Sequence, residues 1–246
     1  SDKLSPSLGL VVKPFGEDLS FYASYVEGLS EGVTVSDMTY PTATNKGETL
    51  APYQTKQYEL GTKYQVGFWL NTLALYQIEK PEAYLDSTNL EVKDDAETRS
   101  RGIEFSTAGQ LTEDLSLMAN LAYIDAEYVK SGTASQVGNT VIGTPDFTAG
   151  LGLDYKIPVV DGMSVNARAS YVSEQYLNTD NSLELPDYTI LDLGAKYATK
   201  IGGVNTTFRA NVNNLTDEKY WSGVFGSNYA ILGAGRTYKL GVTFDF

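Results

Sequence analysis

The chain has 246 residues, a formal charge of −13, 42% hydrophobic and 12% aromatic residues, and neither cysteine nor histidine. A nucleic-acid partner needs a basic surface and is not expected. Without cysteine there are no disulfides, thiolate metal sites or cysteine nucleophiles; without histidine the commonest general base and transition-metal ligand are gone, so enzymes that rely on one are excluded and no enzyme is expected. 

No stretch approaches the roughly 18 apolar residues of a spanning helix, and the opening Ser1-Asp2-Lys3-Leu4 has no apolar signal segment. Asp94, Asp95 and Glu97 lack the spacing of a calcium loop and read as a solvated acidic run, so neither a metal nor a cofactor is expected.

In chain order, segment after segment alternates apolar with small or polar residues at period two, the signature of half-buried strands. Leu8, Leu10 and Val12 open the series; Leu19, Phe21, Ala23 and Tyr25 follow, then Tyr58, Leu60 and Tyr64. Residues 68–80 are ambiguous, because Leu73 and Leu75 compete with Phe68, Leu70, Tyr76 and Ile78 for the apolar face; the second set is expected to face outward. Next come Ile103 and Phe105, Leu115 to Tyr123, Phe147 to Tyr155, and Met163 to Tyr171, each stepping by two. Leu191 to Tyr197, Val204 to Val212 and Tyr238 to Phe246 complete about eleven strands.

The connections alternate in length. Short ones fall at 14–18, 65–67, 109–114, 158–162 and 199–203, and long ones at about 29–52, 80–98, 129–145, 175–186 and 214–235. Short turns on one rim and long loops on the other are the pattern of an antiparallel transmembrane β-barrel. Opposite the apolar faces stand Lys13, Glu59, Lys63, Glu104, Asp154, Lys156, Arg168, Asp192, Lys196, Arg209 and Lys239, which a hydrated lumen tolerates and a packed core does not. Aromatic residues recur at strand ends: Phe15, Tyr64, Phe68, Tyr155, Tyr197 and Phe246 near short turns, and Tyr25, Tyr76, Tyr123, Phe147 and Tyr171 near long loops, as two interfacial girdles require. A soluble β-sandwich with one solvated face gives the same alternation and stays open at this stage.

The chain also resembles TonB-dependent siderophore receptors over essentially its whole length. The resemblance rests on Leu4-Ser5-Pro6-Ser7-Leu8-Gly9-Leu10, Leu19 to Tyr25, Gly47-Glu48-Thr49-Leu50-Ala51-Pro52, Gln57-Tyr58-Glu59-Leu60-Gly61, Arg99-Ser100-Arg101-Gly102-Ile103-Glu104 and Asn213-Asn214-Leu215-Thr216-Asp217-Glu218-Lys219-Tyr220. It implies a bacterial outer-membrane barrel of about 22 strands filled by an N-terminal plug, with residues 1–246 as the C-terminal portion of the barrel domain. It implies uptake of a ferric siderophore or similar chelate, outer-membrane lipid around the wall, and TonB contact through a plug that this sequence does not include. Tyr238, Leu240, Val242, Phe244 and Phe246 look like the terminal signal read by the outer-membrane assembly machinery. 

Because such a chelate carries its own iron, its receptor needs aromatic rings and placed polar groups rather than metal ligands. Tyr220, Trp221, Phe225, Asn228 and Tyr229 in the last long loop, and Tyr40 and Tyr53 around the first, are the candidates. A passive outer-membrane channel and a truncated small β-barrel pore are the alternatives.

Overall fold

The computed structural model describes residues 4–245, so Phe246 lies outside the described residues. The strands are β1 (Ser7–Val12), β2 (Leu19–Ser30), β3 (Tyr53–Val66), β4 (Trp69–Asp86), β5 (Glu91–Gln110), β6 (Leu115–Lys130), β7 (Phe147–Lys156), β8 (Met163–Val172), β9 (Gln175–Tyr176), β10 (Glu184–Leu185), β11 (Tyr188–Ile201), β12 (Val204–Asn213), β13 (Trp221–Val224), β14 (Ala230–Leu232) and β15 (Thr237–Asp245). The eleven longer strands form one antiparallel sheet in the order β1-β2-β3-β4-β5-β6-β7-β8-β11-β12-β15, and β9/β10 and β13/β14 are small separate hairpins. Successive strands are neighbours, so the connections alternate between two rims. One rim carries 13–18, 67–68, 111–114, 157–162 and 202–203; the other carries 31–52, 87–90, 131–146, 173–187 and 214–236.

The tightest turns follow from their glycines. Ile201 pairs with Val204 across Gly202 and Gly203 at φ +59 and +87, the positive pair that a type I′ hairpin demands. Val66 pairs with Trp69, and there only Gly67, the first central residue, is left-handed at φ +58, the type II′ pattern.

Cross-strand register sorts the side chains into two faces, because directly opposed residues share a face. Leu10, Ala23, Leu60, Leu75, Ile103, Tyr123 and Phe147 form one continuous outward row. Leu193, Val212 and Tyr238 lie on that face too, as do Tyr197, Phe208 and Val242. The opposite face carries Glu59, Glu104, Arg168, Asp192, Lys196, Arg209 and Lys239, as the alternation in the sequence predicts.

Two expectations are corrected. In β4, Leu73 and Leu75 face outward, opposed to Phe105 and Ile103, while Leu70, Tyr76 and Ile78 face the polar side. Tyr76 therefore belongs to no girdle; it lies against Gly102, where an added Cβ would come within 2.4 Å of its ring. Both β4 faces are rich in large apolar residues, so periodicity alone could not rank them, and the partners on β3 and β5 do. 

Residues 80–98, expected as a loop, instead continue the β4–β5 ladder as far as Asp86 opposite Glu91, with one irregularity between Glu82 and Tyr84. These strands run 18 and 20 residues, well past the roughly 9–11 that cross a bilayer. Beyond the lipid neither face has to be apolar, so the alternation fades while the backbone pairing persists. Pro81, which has no N–H to give a ladder, stands just after the last β3–β4 pair, Lys56 opposite Glu79.

No second layer covers the apolar face. Leu8, Leu60 and Leu240 are 68%, 60% and 87% exposed, and among the described residues the buried hydrophobic side chains are only Val35, Ala43, Ala74, Val92, Ala96, Ala126 and Leu185. A soluble sandwich of this length would bury its core between two sheets. A single sheet with an apolar outside and a charged inside is the wall of a barrel in lipid.

Leu193 sits mid-strand on the outward face of β11. Leu193→Arg should destabilise the protein by about 2–4 kcal/mol in a folding titration in lipid, whereas Lys239→Ala on the inner face should stay within about 0.5 kcal/mol. Equal effects at the two positions would contradict the assignment of faces.

Candidate functional site

The rim of long connections is held together by side chains acting as backbone substitutes. Segment 31–52 folds against the protruding β4–β5 hairpin. Val35, Ala43 and Val92 form a small buried cluster, packed round by Tyr40, Leu50, Ala83 and Leu85. Asn45 completes the join: its Nδ2 donates to the Val92 carbonyl (3.1 Å), and its Oδ1 accepts the Val92 N–H (3.0 Å), while the Thr44 N–H reaches the Leu90 carbonyl at 2.7 Å. Asn45 thus supplies with one amide the donor and acceptor that an edge strand would offer. Tyr53 accepts the Val33 N–H on its hydroxyl at 3.4 Å. The structure therefore places Tyr40 and Tyr53 in the packing of this segment; burial raises the Tyr40 phenol above its usual range.

The other three long connections interlock. Asn181, left-handed at φ +53, accepts the Thr140 N–H (2.7 Å) and donates to the Thr140 carbonyl (3.0 Å); Asn139 donates to the Thr179 carbonyl (2.8 Å). Gly143 N–H bonds the Tyr176 carbonyl, and Asn228 N–H bonds the Leu177 carbonyl, so segment 173–187 is clamped between its two neighbours.

A second asparagine anchors segment 214–236. Asn214 is 3% exposed with φ +54. Its N–H donates to Asp192 Oδ1 (2.8 Å), its Nδ2 to the Glu218 and Ala234 carbonyls (2.9 and 3.0 Å), and its Oδ1 accepts the Glu218 N–H (2.8 Å). Nearby, Asp217 Oδ1 accepts the Arg236 N–H (2.9 Å) and Oδ2 pairs with Lys219 (3.0 Å), and these contacts, the Arg236 N–H foremost, hold its carboxyl below the usual carboxylate range. Neither Asn181 nor Asn214 was singled out by chemistry in the sequence. The available signal was that asparagine, unlike most residues, tolerates a left-handed backbone.

On this scaffold stand the aromatic candidates. Tyr220 is partly sequestered: its ring packs against Tyr188 at 4.4 Å between centroids and covers Gly233. Trp221 opens β13 opposite Leu232 and is half exposed. Phe225 and Tyr229 meet at the tip of the β13–β14 hairpin, where the Phe225 N–H bonds the Tyr229 carbonyl at 2.8 Å; they are 79% and 69% exposed. Asn228, left-handed at φ +70, makes the turn between them. Of the candidates, the structure thus gathers Phe225, Asn228 and Tyr229 at one tip, places Trp221 at its base and uses Tyr220 as a prop. Asp94, Asp95 and Glu97 lie on β5, where Glu97 pairs with Lys130 at 3.2 Å.

Below the rim, the inner wall of β2–β5 is lined by tyrosines laid over glycines. The Tyr22 hydroxyl donates to Glu59 at 2.6 Å, its ring covers Gly61, and Lys63 Nζ sits 5.6 Å from the ring centre. Glu59 and Glu104 form no ion pair among the described residues.

Comparison with known proteins gives a consistent picture. A family model described as "TonB dependent receptor-like, beta-barrel" matches residues 1–215. The chain is 32% identical over 246 residues to the ferrichrome receptor FcuA of Yersinia enterocolitica, spanning 99% of this chain and 32% of that protein. It is 28% identical to the ferrioxamine B receptor of Salmonella typhimurium, across 89% of this chain and 32% of that one. Among solved structures, BauA, the ferric preacinetobactin receptor of Acinetobacter baumannii, superposes with a TM-score of 0.85 at 38% identity, over 98% of this chain and 36% of BauA. The chain spans about a third of the length of the curated relatives it matches.

Asn214→Ala removes three side-chain hydrogen bonds and leaves a buried donor and two carbonyls unpaired, at about 1–3 kcal/mol for each group left bare. In hydrogen exchange, amides of 214–236 should lose protection while those of β11 and β12 keep theirs. Unchanged protection of 214–236 would contradict the anchoring role.

Proposed function

Because the chain belongs to the TonB-dependent receptor family, whose members are outer-membrane β-barrels, we propose that the whole protein takes up a ferric siderophore or a similar metal chelate across the outer membrane, with energy coupled through TonB. Residues 1–246 form the C-terminal portion of the barrel domain in this reading. The observation that carries it is a lipid-facing wall with a charged lumen beneath a braced crown of loops displaying the Phe225–Tyr229 tip. Receptor names among the relatives, covering ferrichrome, ferrioxamine B and ferric preacinetobactin, support a ferric chelate as cargo without choosing its class.

The sheet edges favour further strands. β1 and β15 stand at the two ends of the eleven-stranded sheet and, with every neighbour antiparallel, run in the same direction. Bare edges in hydrocarbon cost several kcal/mol for each unpaired backbone group, so both edges join other strands of the same protein. Tyr238, Leu240, Val242 and Phe244 share the outward face of β15 and, with Phe246, are the stretch read by the outer-membrane assembly machinery in this account.

Uptake of radioactive iron from a panel of hydroxamate and catecholate chelates tests the proposal in a deletion strain complemented with the full-length gene. One class should enter only with the full-length protein and only in a TonB-positive background. The double variant Phe225→Ala/Tyr229→Ala should weaken surface binding about tenfold, equivalent to about 1.4 kcal/mol. Uptake that persists without TonB would favour a passive channel instead.

A further inference from the structure

The alternation of faces decides which way a side chain points, not which residue it stands opposite. A slip of one residue between neighbouring strands turns every side chain to the wrong face; a slip of two leaves both faces intact, so alternation does not forbid it. Where a short turn joins two strands, as at 67–68 and 202–203, the turn sets the register. Strands joined over the other rim have no such stop. Segments 31–52, 131–146 and 173–187 are long, and turn 87–90 is separated from the β4–β5 pairing below it by the irregularity between Glu82 and Tyr84.

Glycines stand where that stop is missing. Every strand glycine of the wall with a neighbour within 4 Å finds its closest one across a connection of this second rim, apart from Gly194, which Asn211 and Asn166 meet from both sides. Tyr22 lies on Gly61 and directly opposite it in the β2–β3 ladder, and Tyr76 does the same to Gly102 between β4 and β5. The Asn120 amide covers Gly150 between β6 and β7. An added Cβ at any of these glycines would collide with the side chain above it. A slip of two would set Tyr22 against Glu59 or Lys63, and Tyr76 against Ser100 or Glu104, where a side chain fills the bed of the ring. A second contact reads the same register: the Tyr22 hydroxyl, reaching past Gly61, donates to Glu59 at 2.6 Å.

We propose that these pairs are register keys. The wall is a row of hairpins, each set by its own short turn, and a side chain seated on bare backbone sets each hairpin against the next. β15 carries no key, since Gly241 opposite Arg209 has nothing within 4 Å. The device acts in assembly and does not depend on what the protein transports.

Disulfide trapping in the full-length protein reads the register directly, because residues 1–246 contain no cysteine. A Cβ on Gly28 would lie 4.0 Å from that of Thr55, within disulfide reach. Gly28→Cys/Thr55→Cys therefore reports the native pairing, and Gly28→Cys/Gln57→Cys and Gly28→Cys/Tyr53→Cys report slips of two in either direction. When cells are oxidised during assembly, Tyr22→Ala should raise slipped relative to native cross-links at least about fivefold. Gly61→Ala, which keeps the ring but fills its seat, should do the same, and Tyr22→Phe should not. Tyr25→Ala, which removes a ring packed on Tyr58 at 5.0 Å in the same ladder, should leave the ratio unchanged. The reversed key Tyr22→Gly/Gly61→Tyr should return the ratio to within about twofold of the parent. Native cross-links alone in both Tyr22→Ala and Gly61→Ala, an equal rise in Tyr25→Ala, or a reversed key that restores nothing would each overturn the proposal. Should Tyr22→Ala leave no assembled barrel, recovery of assembly by the reversed key carries the same support, and its failure the same refutation.

Discussion

Within hydrocarbon no water is present to satisfy a backbone N–H or carbonyl, so every strand must find its partners inside the sheet. That constraint organises the whole wall. It forces continuous ladders such as the nine consecutive pairs of β12 with β15, without bulges. It also divides the side chains strictly by parity, because pairing fixes the pleat. Among the described residues, irregular pairing appears only where the ladders have left the lipid, between Glu82 and Tyr84 and between Glu97 and Thr98 in the β4–β6 extension, and in the β13–β14 hairpin.

Once the ladders rise above the lipid, side chains take over the bracing. The outward row just beyond the apolar band alternates in sign across five strands: Glu27, Lys56, Glu79, Arg99 and Glu127. Opposite charges directly across strands support one another, which lets the emerging wall become charged without leaving single ions unmatched. Higher still, Asn45 ties segment 31–52 to β5, Asn181 ties segment 173–187 to 131–146, and Asn214 closes segment 214–236 on itself, each through its side-chain amide. The aromatic tip is thus displayed by a fixed support, and fixed supports limit the ordering cost of binding.

The sequence was legible where one face had to be apolar and the other polar. The strand positions of β7, β8, β11, β12 and β15 and the rim of every connection can be read from alternation and turn residues alone. Reading failed where that contrast lapses. Both faces of β4 carry large apolar residues, so only the β3 and β5 partners reveal that Leu75, and not Tyr76, meets lipid. Residues 80–98 rise beyond the lipid, where no strict alternation of apolar and polar residues is required, and a strand without that alternation reads as a loop. For the proposed binding surface, aromatic identity was visible in the sequence but exposure was not. Tyr40 packs into segment 31–52 and Tyr220 packs against Tyr188, while Phe225 and Tyr229 are the most exposed of the candidate aromatics. Nor does composition reveal that Gly152 of β7 lies directly opposite Arg168, since that neighbourhood depends on register.

The division between a lipid face and a water face is the claim on which the rest stands, and β4 is where it is least evident from sequence. Spin labels placed singly at residues 73 to 76 of the full-length protein in lipid vesicles, read by their collision rates with oxygen and with a water-soluble nickel chelate, test it most directly. Labels replacing Leu73 and Leu75 should collide mainly with oxygen, and those replacing Ala74 and Tyr76 relatively more with the nickel chelate. The reverse order, or no alternation at all, would contradict the account.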